Sequence, residues 1–279
     1  MTPLLHRLAL FFLPLSFLVV ALLVRDNAGP FWLWSNLDPD YWYLFDSLNM
    51  INLEWPKHIA HPGTTVQTLG AVVIKILHPL TGTDDLTRLV LADPERYLTL
   101  IGRVLIALNA IALAVAGAVA YKVFGSLTGA MLLQLGPFLS TLVFKLGLHV
   151  SPEPMLVTTM MVLATVMLLA LRPGEMDRRA GRYVLAFAAV AGFGIATKVT
   201  SAGMYLMPVF LLARPRLLLS YGVASVAFII FFTLPAAGSY GLIFDWLTMI
   251  SSSSGYFGEG PQTFIDLCWL LVWFWLCWP

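Results

Sequence analysis

Apolar runs of membrane-spanning length dominate this chain and leave it few possible folds. A helix that crosses a bilayer needs about 20 apolar residues, within a range of roughly 17–25. Such runs occur at Leu8–Val24, Val104–Tyr121, Ser126–Phe144, Pro154–Leu171, Leu217–Ala236 and, shorter, Phe264–Pro279. Only 11% of the 279 residues are charged and 59% are hydrophobic, with a mean hydropathy of +0.84. Soluble domains carry about 25% charge, so most of this surface is built for a solvent other than water. Sixteen Lys and Arg against fifteen Asp and Glu leave a formal charge of +1. That balance excludes a nucleic-acid binder acting through a basic face and, with this hydrophobicity, a disordered chain. Cys268 and Cys277 share one apolar stretch and have the spacing of neither a disulfide framework nor a zinc site.

The stretch Tyr183–Ala213 is too long for one crossing. As a single helix it would rise about 46 Å against a hydrocarbon core of roughly 30 Å. It also carries Lys198 near its middle, which costs about 2.5–3.5 kcal/mol on insertion scales. Two short helices meeting at Thr197–Ser201 avoid both costs. The expected fold is therefore an all-α polytopic membrane protein with about eight membrane segments, the first an uncleaved anchor. Arg172, Arg178, Arg179 and Arg182 crowd one loop, and Arg214 and Arg216 flank Pro215 in the next. The positive-inside rule puts both loops, Lys122 and the N-terminus in the cytoplasm. Arg25–Arg103, Lys145–Glu153, the Thr197–Ser201 turn and Ala237–Gln262 then face outward. The outer loops contain no Asn-x-Ser/Thr site, which favours a bacterial inner membrane.

Residues 25–103 form a first outer loop too long to be a plain linker. Its aromatic clusters, Phe31-Trp32-Leu33-Trp34 and Tyr41-Trp42-Tyr43, suit the headgroup level of a bilayer. Tyr41–Asn52 and Thr65–Leu77 have helical apolar spacing, which predicts two amphipathic helices lying along the membrane.

Six places in the chain carry groups with chemistry. Asp38 and Asp40 flank Pro39 at the start of the first amphipathic helix. A carboxylate there serves either as a general base at a low-dielectric boundary or as a helix-capping group. Glu54, His58 and His61 have spacing that could ligate a metal on a helix face, although Pro56 and Pro62 bracket the histidines and favour a polar loop. Lys198 between two apolar segments is either a phosphate-holding charge or a lysine snorkelling to the headgroups. Glu153, in Ser151-Pro152-Glu153-Pro154, either caps the following helix or lines the same outer cavity, and Arg103 has the same two readings. The Gly-rich tract Ser251–Pro261 is a substrate lid or a connector. No phosphate-binding loop, nucleophile elbow or zinc-protease helix occurs, and no internal repeat is seen.

Together these motifs resemble the GT-C class of membrane glycosyltransferases, nearest to the protein O-mannosyltransferase and lipid A aminoarabinose transferase group. The likeness lies in an inside N-terminus, one helix and a long outer loop carrying Asp38-Pro39-Asp40-Tyr41 and then His61-Pro62-Gly63-Thr64. It continues in Gly192-Phe193-Gly194-Ile195-Ala196-Thr197-Lys198 and in Glu153 at the outer start of a helix, and so covers nearly the whole chain. The resemblance implies transfer of a sugar from a polyprenyl-phosphate carrier to a lipid, polysaccharide or protein acceptor on the outer face. In it Asp40, or else Asp38, acts as base, while Lys198, His61, Glu153, Arg103 and Tyr41 bind substrate. It requires no nucleotide or nucleic acid and leaves a divalent metal ion open. Family members have more membrane helices, so the chain reads as one module, 1–279, incomplete at its C-terminus. The competing readings are a lipid-linked-sugar flippase, for which the helix interiors offer few polar residues, and a non-catalytic membrane partner.

Overall fold

Pro94 starts the longest helix of the molecule, and its capping explains why the helix begins so early. Asp93 accepts the backbone N–H of Arg96 at 3.3 Å, Pro94 takes the first turn, and Gly125 ends the helix with φ +64°. The structure is a computed structural model that describes residues 8–33, 39–59, 62–252, 254–255 and 258–259. In chain order its α-helices are α1 (Phe12–Asn27), α2 (Asp40–Ile51), α3 (Thr64–Leu77), α4 (Thr83–Ala92), α5 (Pro94–Phe124) and α6 (Leu127–Gln134). They continue as α7 (Thr141–Leu146), α8 (Pro152–Ala170), α9 (Glu175–Thr197), α10 (Met207–Leu211), α11 (Pro215–Thr233) and α12 (Tyr240–Ser252). Two two-residue strands, Ser254–Gly255 and Gly258–Glu259, pair antiparallel after α12.

Four stretches are long and apolar enough to cross a membrane: Pro94–Phe124, Pro152–Ala170, Glu175–Thr197 and Pro215–Met249. An 18-residue window of the last has a mean hydropathy of 2.3, yet only 11% of that window is buried within the protein. Such a surface is stable in hydrocarbon and not in water. The other expected crossings differ. The N-terminal run forms the 16-residue α1. The run Ser126–Phe144 is broken into α6, a 3-10 turn at Gly136–Phe138 and α7. Pro137 lacks the N–H that a continuing helix would need, and the Ser140 hydroxyl caps α7 by accepting the Val143 N–H at 3.3 Å. The expected segment Phe264–Pro279 lies outside the described residues.

The break at Lys198 is present, but the helix before it is not short: α9 runs 23 residues and is itself of spanning length. There α9 ends and a 3-10 turn, Val199–Leu206, leads into the short α10. The Ser201 hydroxyl lies 2.7 Å from the Lys198 carbonyl and 3.2 Å from that of Gly194, and the same carbonyls accept the Ser201 and Lys198 backbone N–H groups at 3.0 and 2.8 Å. Arg214 Nη2 lies 3.1 Å from Asp177 Oδ1, so the chain returns beside the start of α9 through a far shorter segment.

The two amphipathic helices exist within a residue or so of their expected bounds, as α2 and α3, but they do not lie apart on a surface. Tyr43, Leu44, Leu48, Val66 and Ile74 share one core with Tyr97, Leu98 and Ile101 of α5. At about 46 Å, α5 overshoots a roughly 30 Å hydrocarbon layer, and its N-terminal turns are the post on which α2, α3 and the unforeseen α4 pack. Leu86 and Val90 of α4 enter the same core. The remaining frame is α1 on α5, α5 on α8, α8 on α9, and α9 on α11.

The α9–α11 crossing depends on Gly192. A Cβ there would lie 2.4 Å from Phe228 Cβ and 2.7 Å from its backbone carbonyl carbon, the close approach that small residues permit between membrane helices. Gly192→Val is expected to destabilise the protein by about 1–3 kcal/mol through overpacking. A thermal melt in detergent reads this, and an unchanged midpoint would mean that the two helices do not touch there.

Candidate functional site

Polar groups from the first long loop, the α7–α8 junction and the α9 turn converge at one end of the helix frame. Asp40 is the first residue of α2, after an extended Pro39, and its carboxylate does not cap its own helix. Oδ2 lies 2.9 Å from His149 Nδ1, and Oδ1 accepts the backbone N–H of Val150. An ionised carboxylate only accepts, so the imidazole Nδ1 carries the proton. Asp40 is 2% exposed and His149 1%. The expected base is therefore enclosed, with both oxygens engaged, and holds the chain just ahead of Ser151-Pro152-Glu153. The sequence reading did not single out His149, although a histidine shortly before a Ser-Pro-Glu helix start is a visible signal. Asp38, its alternative, lies outside the described residues.

Asp46 is a second buried carboxylate, at 3% exposure, and it shapes the next turn of chain. It accepts the backbone N–H groups of Lys57 at 2.9 Å and His58 at 2.7 Å, with Asn49 Nδ2 and Gln67 Nε2 each at 2.9 Å. The His58 ring packs edge-on to Trp42 at 4.3 Å. His61 lies outside the described residues, and among those described no group of three His, Cys, Asp or Glu side chains gathers as a metal cluster. Tyr41, expected at the substrate, gives its hydroxyl to Glu95, which also accepts the Phe31 N–H at 3.0 Å. Burial, then the Glu95 carboxylate, pushes the Tyr41 phenol above its ordinary pKa. Arg103 lies within α5 and pairs with Asp26 at 3.1 Å, both half-exposed.

The two motifs that carry the family likeness meet directly. Pro62 and Lys198 form an antiparallel bridge, and Gly63 N–H donates to the Thr197 carbonyl at 3.1 Å. Thr64 Oγ1 donates to the Ala196 carbonyl at 3.1 Å, and the Thr65 and Thr197 hydroxyls are 2.7 Å apart. Gly63 has φ +70°, and a Cβ there would lie 2.8 Å from Tyr43 Cε1, so glycine alone fits this turn.

The zipper fixes Lys198 in extended backbone and aims its amine at Glu153. Nζ donates to Glu153 Oε1, and the two side chains are 22% and 23% exposed. Glu153 Oε2 is buried without a hydrogen-bond partner among the described residues. The same glutamate lines a groove of about 310 Å³ that is otherwise apolar, walled by Val143, Leu146, Leu156, Val157, Met160 and Met204. Chemically this is an apolar channel with one carboxylate in its wall and an ammonium bonded to that carboxylate.

The fold and this cluster define a helical protein with four stretches long and apolar enough for a membrane and one polar assembly at an end of the frame. No protein-family model, curated protein or solved structure matches the chain.

Proposed function

We propose that this protein is a membrane glycosyltransferase that moves a sugar from a polyprenyl-phosphate carrier to an acceptor. The observation that carries the reading is the apolar groove lined by Glu153, whose carboxylate accepts from the Lys198 amine. An isoprenoid tail needs an apolar channel, and its phosphate needs a cation where the channel ends. The carrier phosphate competes with Glu153 for the Lys198 amine, so carrier binding frees the carboxylate. The acceptor hydroxyl oxygen then attacks the anomeric carbon. The bond from that carbon to the phosphate oxygen breaks, the electron pair leaves on the phosphate, and the hydroxyl proton passes to a carboxylate. Glu153 suits that last role because it lines the groove and its Oε2 has no hydrogen-bond partner among the described residues, whereas both Asp40 oxygens are engaged. Asp40 is then a positioning residue. The reading puts the site on the outer face of a bacterial inner membrane with the N-terminus in the cytoplasm. In support, the first turn of α9, which holds Asp177, meets the loop holding Arg214 at one end of the frame, so the two arginine-rich segments lie on one side as the positive-inside rule requires.

The test uses the full chain in lipid nanodiscs with polyprenyl phosphate and with a pool of polyprenyl-phosphate sugars. Lys198→Ala is expected to weaken carrier binding by about tenfold or more, the scale of a lost charge-assisted hydrogen bond. Unchanged carrier affinity would overturn the phosphate assignment. No sugar release from any member of the pool would overturn the transferase reading.

A further inference from the structure

A second cleft, of about 730 Å³, lies between the turn after α2 and the start of α12. Its wall combines Glu54, Trp55 and Lys57 on one side with Gly238, Ser239 and Asp245 on the other. We propose that this cleft binds an oligosaccharide that is neutral or carries amino groups. Granted the transferase reading above, that saccharide is the acceptor.

Three observations support the assignment. First, the turn is built to present its side chains. Leu53 has φ +60° and is 93% exposed, a left-handed conformation that bulky residues avoid and that clusters at ligand sites. Asp46 clamps the backbone of Lys57 and His58 from behind. Second, Trp55 lies directly on Gly238, where a Cβ would sit 2.4 Å from the indole Nε1, yet 53% of the residue remains exposed. An aromatic surface held at low entropy cost, with polar groups around it, suits the C–H face and hydroxyls of a pyranose. Third, the side chains of Glu54, Lys57 and Asp245 form no hydrogen bond or ion pair among the described residues. Two carboxylates accept from hydroxyl or ammonium groups and one ammonium donates. The resulting net negative lining disfavours an anionic sugar. The cleft falls within the roughly 300–1,000 Å³ of small-molecule sites. Lys57 also lines a neighbouring cleft of about 340 Å³ that contains Trp42, which gives a longer glycan a second aromatic surface.

The experiment titrates the full chain in nanodiscs with oligomers of N-acetylglucosamine, glucosamine and galacturonic acid, read by saturation-transfer NMR and calorimetry. The first two are expected to bind and the acidic oligomer to bind at least several-fold more weakly. Trp55→Ala is expected to weaken binding by about tenfold, and Trp55→Phe to keep most of it. Asp245→Asn is expected to weaken the glucosamine oligomer more than the acetylated one. Equal binding by the native chain and Trp55→Ala, equal binding of the acidic oligomer, or saturation transfer from none of the three would overturn the proposal. Polyprenyl-phosphate binding is measured on the same samples and depends on Lys198 rather than Trp55. Its absence would sink the transferase reading and leave the saccharide result standing.

Discussion

Asp40→Ala is expected to lower the thermal midpoint of the protein in detergent, whatever happens to its activity. The substitution removes the carboxylate that His149 Nδ1 and the Val150 N–H both meet in a region 1–2% exposed. The loss of a buried hydrogen bond of this kind costs about 1–3 kcal/mol. His149→Ala should cause a similar loss, and the double variant should lose less than the sum, because the two side chains form one interaction. Asp40→Asn keeps an oxygen for the Val150 N–H and should fall between. A general base with no structural part predicts the opposite pattern: activity lost in all Asp40 variants at an unchanged midpoint. Melting curves for the four proteins decide between a clamp and a base.

Glu153→Gln should have the largest catalytic effect. If the carboxylate takes the acceptor proton, its loss lowers sugar transfer by about 10²–10⁴-fold, the usual contribution of a positioned base. Carrier binding should hold or tighten, because the amide competes less strongly than a carboxylate for the Lys198 amine. Lys198→Ala should show the reverse split, with weakened carrier binding. Transfer within a few-fold of native in Glu153→Gln would return the base role to Asp40 or Asp38 and leave Glu153 as the resting partner of Lys198.

The sequence made the helical class legible because apolar runs of spanning length have few other uses. The helix break at Lys198 was legible for the same reason: a lysine inside so long a run is costly unless the chain turns there. The failure at Ser126–Phe144 is instructive, since its composition fits a crossing while Gly136-Pro137 and Ser140 punctuate it. Hydropathy averages over such signals, whereas backbone hydrogen bonding obeys them. The helices α2 and α3 were visible in their periodicity, but their burial against α5 was not, because periodicity gives a face and not its partner. At the site, the residue types at positions 40, 153 and 198 drew notice. Their pairing did not, because Asp40 meets His149 across 109 positions and Lys198 meets Glu153 across 45. A carboxylate's partner decides whether it is a clamp or a reactive group, and that partner is a tertiary fact. The cleft under Trp55 was hidden for the same reason: Glu54 and Asp245 have no relation along the chain.

The threonine zipper also sets a timetable for biosynthesis. Thr64 and Thr65 bond to groups 132 residues further on. At about 5–20 residues per second, the ribosome needs roughly 7–26 s to deliver them. Through that interval the groups to which Gly63, Thr64 and Thr65 bond in the finished protein have not yet been made. A nascent chain released before residue 198 therefore lacks the partner of Glu153. Quality control that senses unpaired polar groups at the bilayer edge would have a window of seconds in which to act on it.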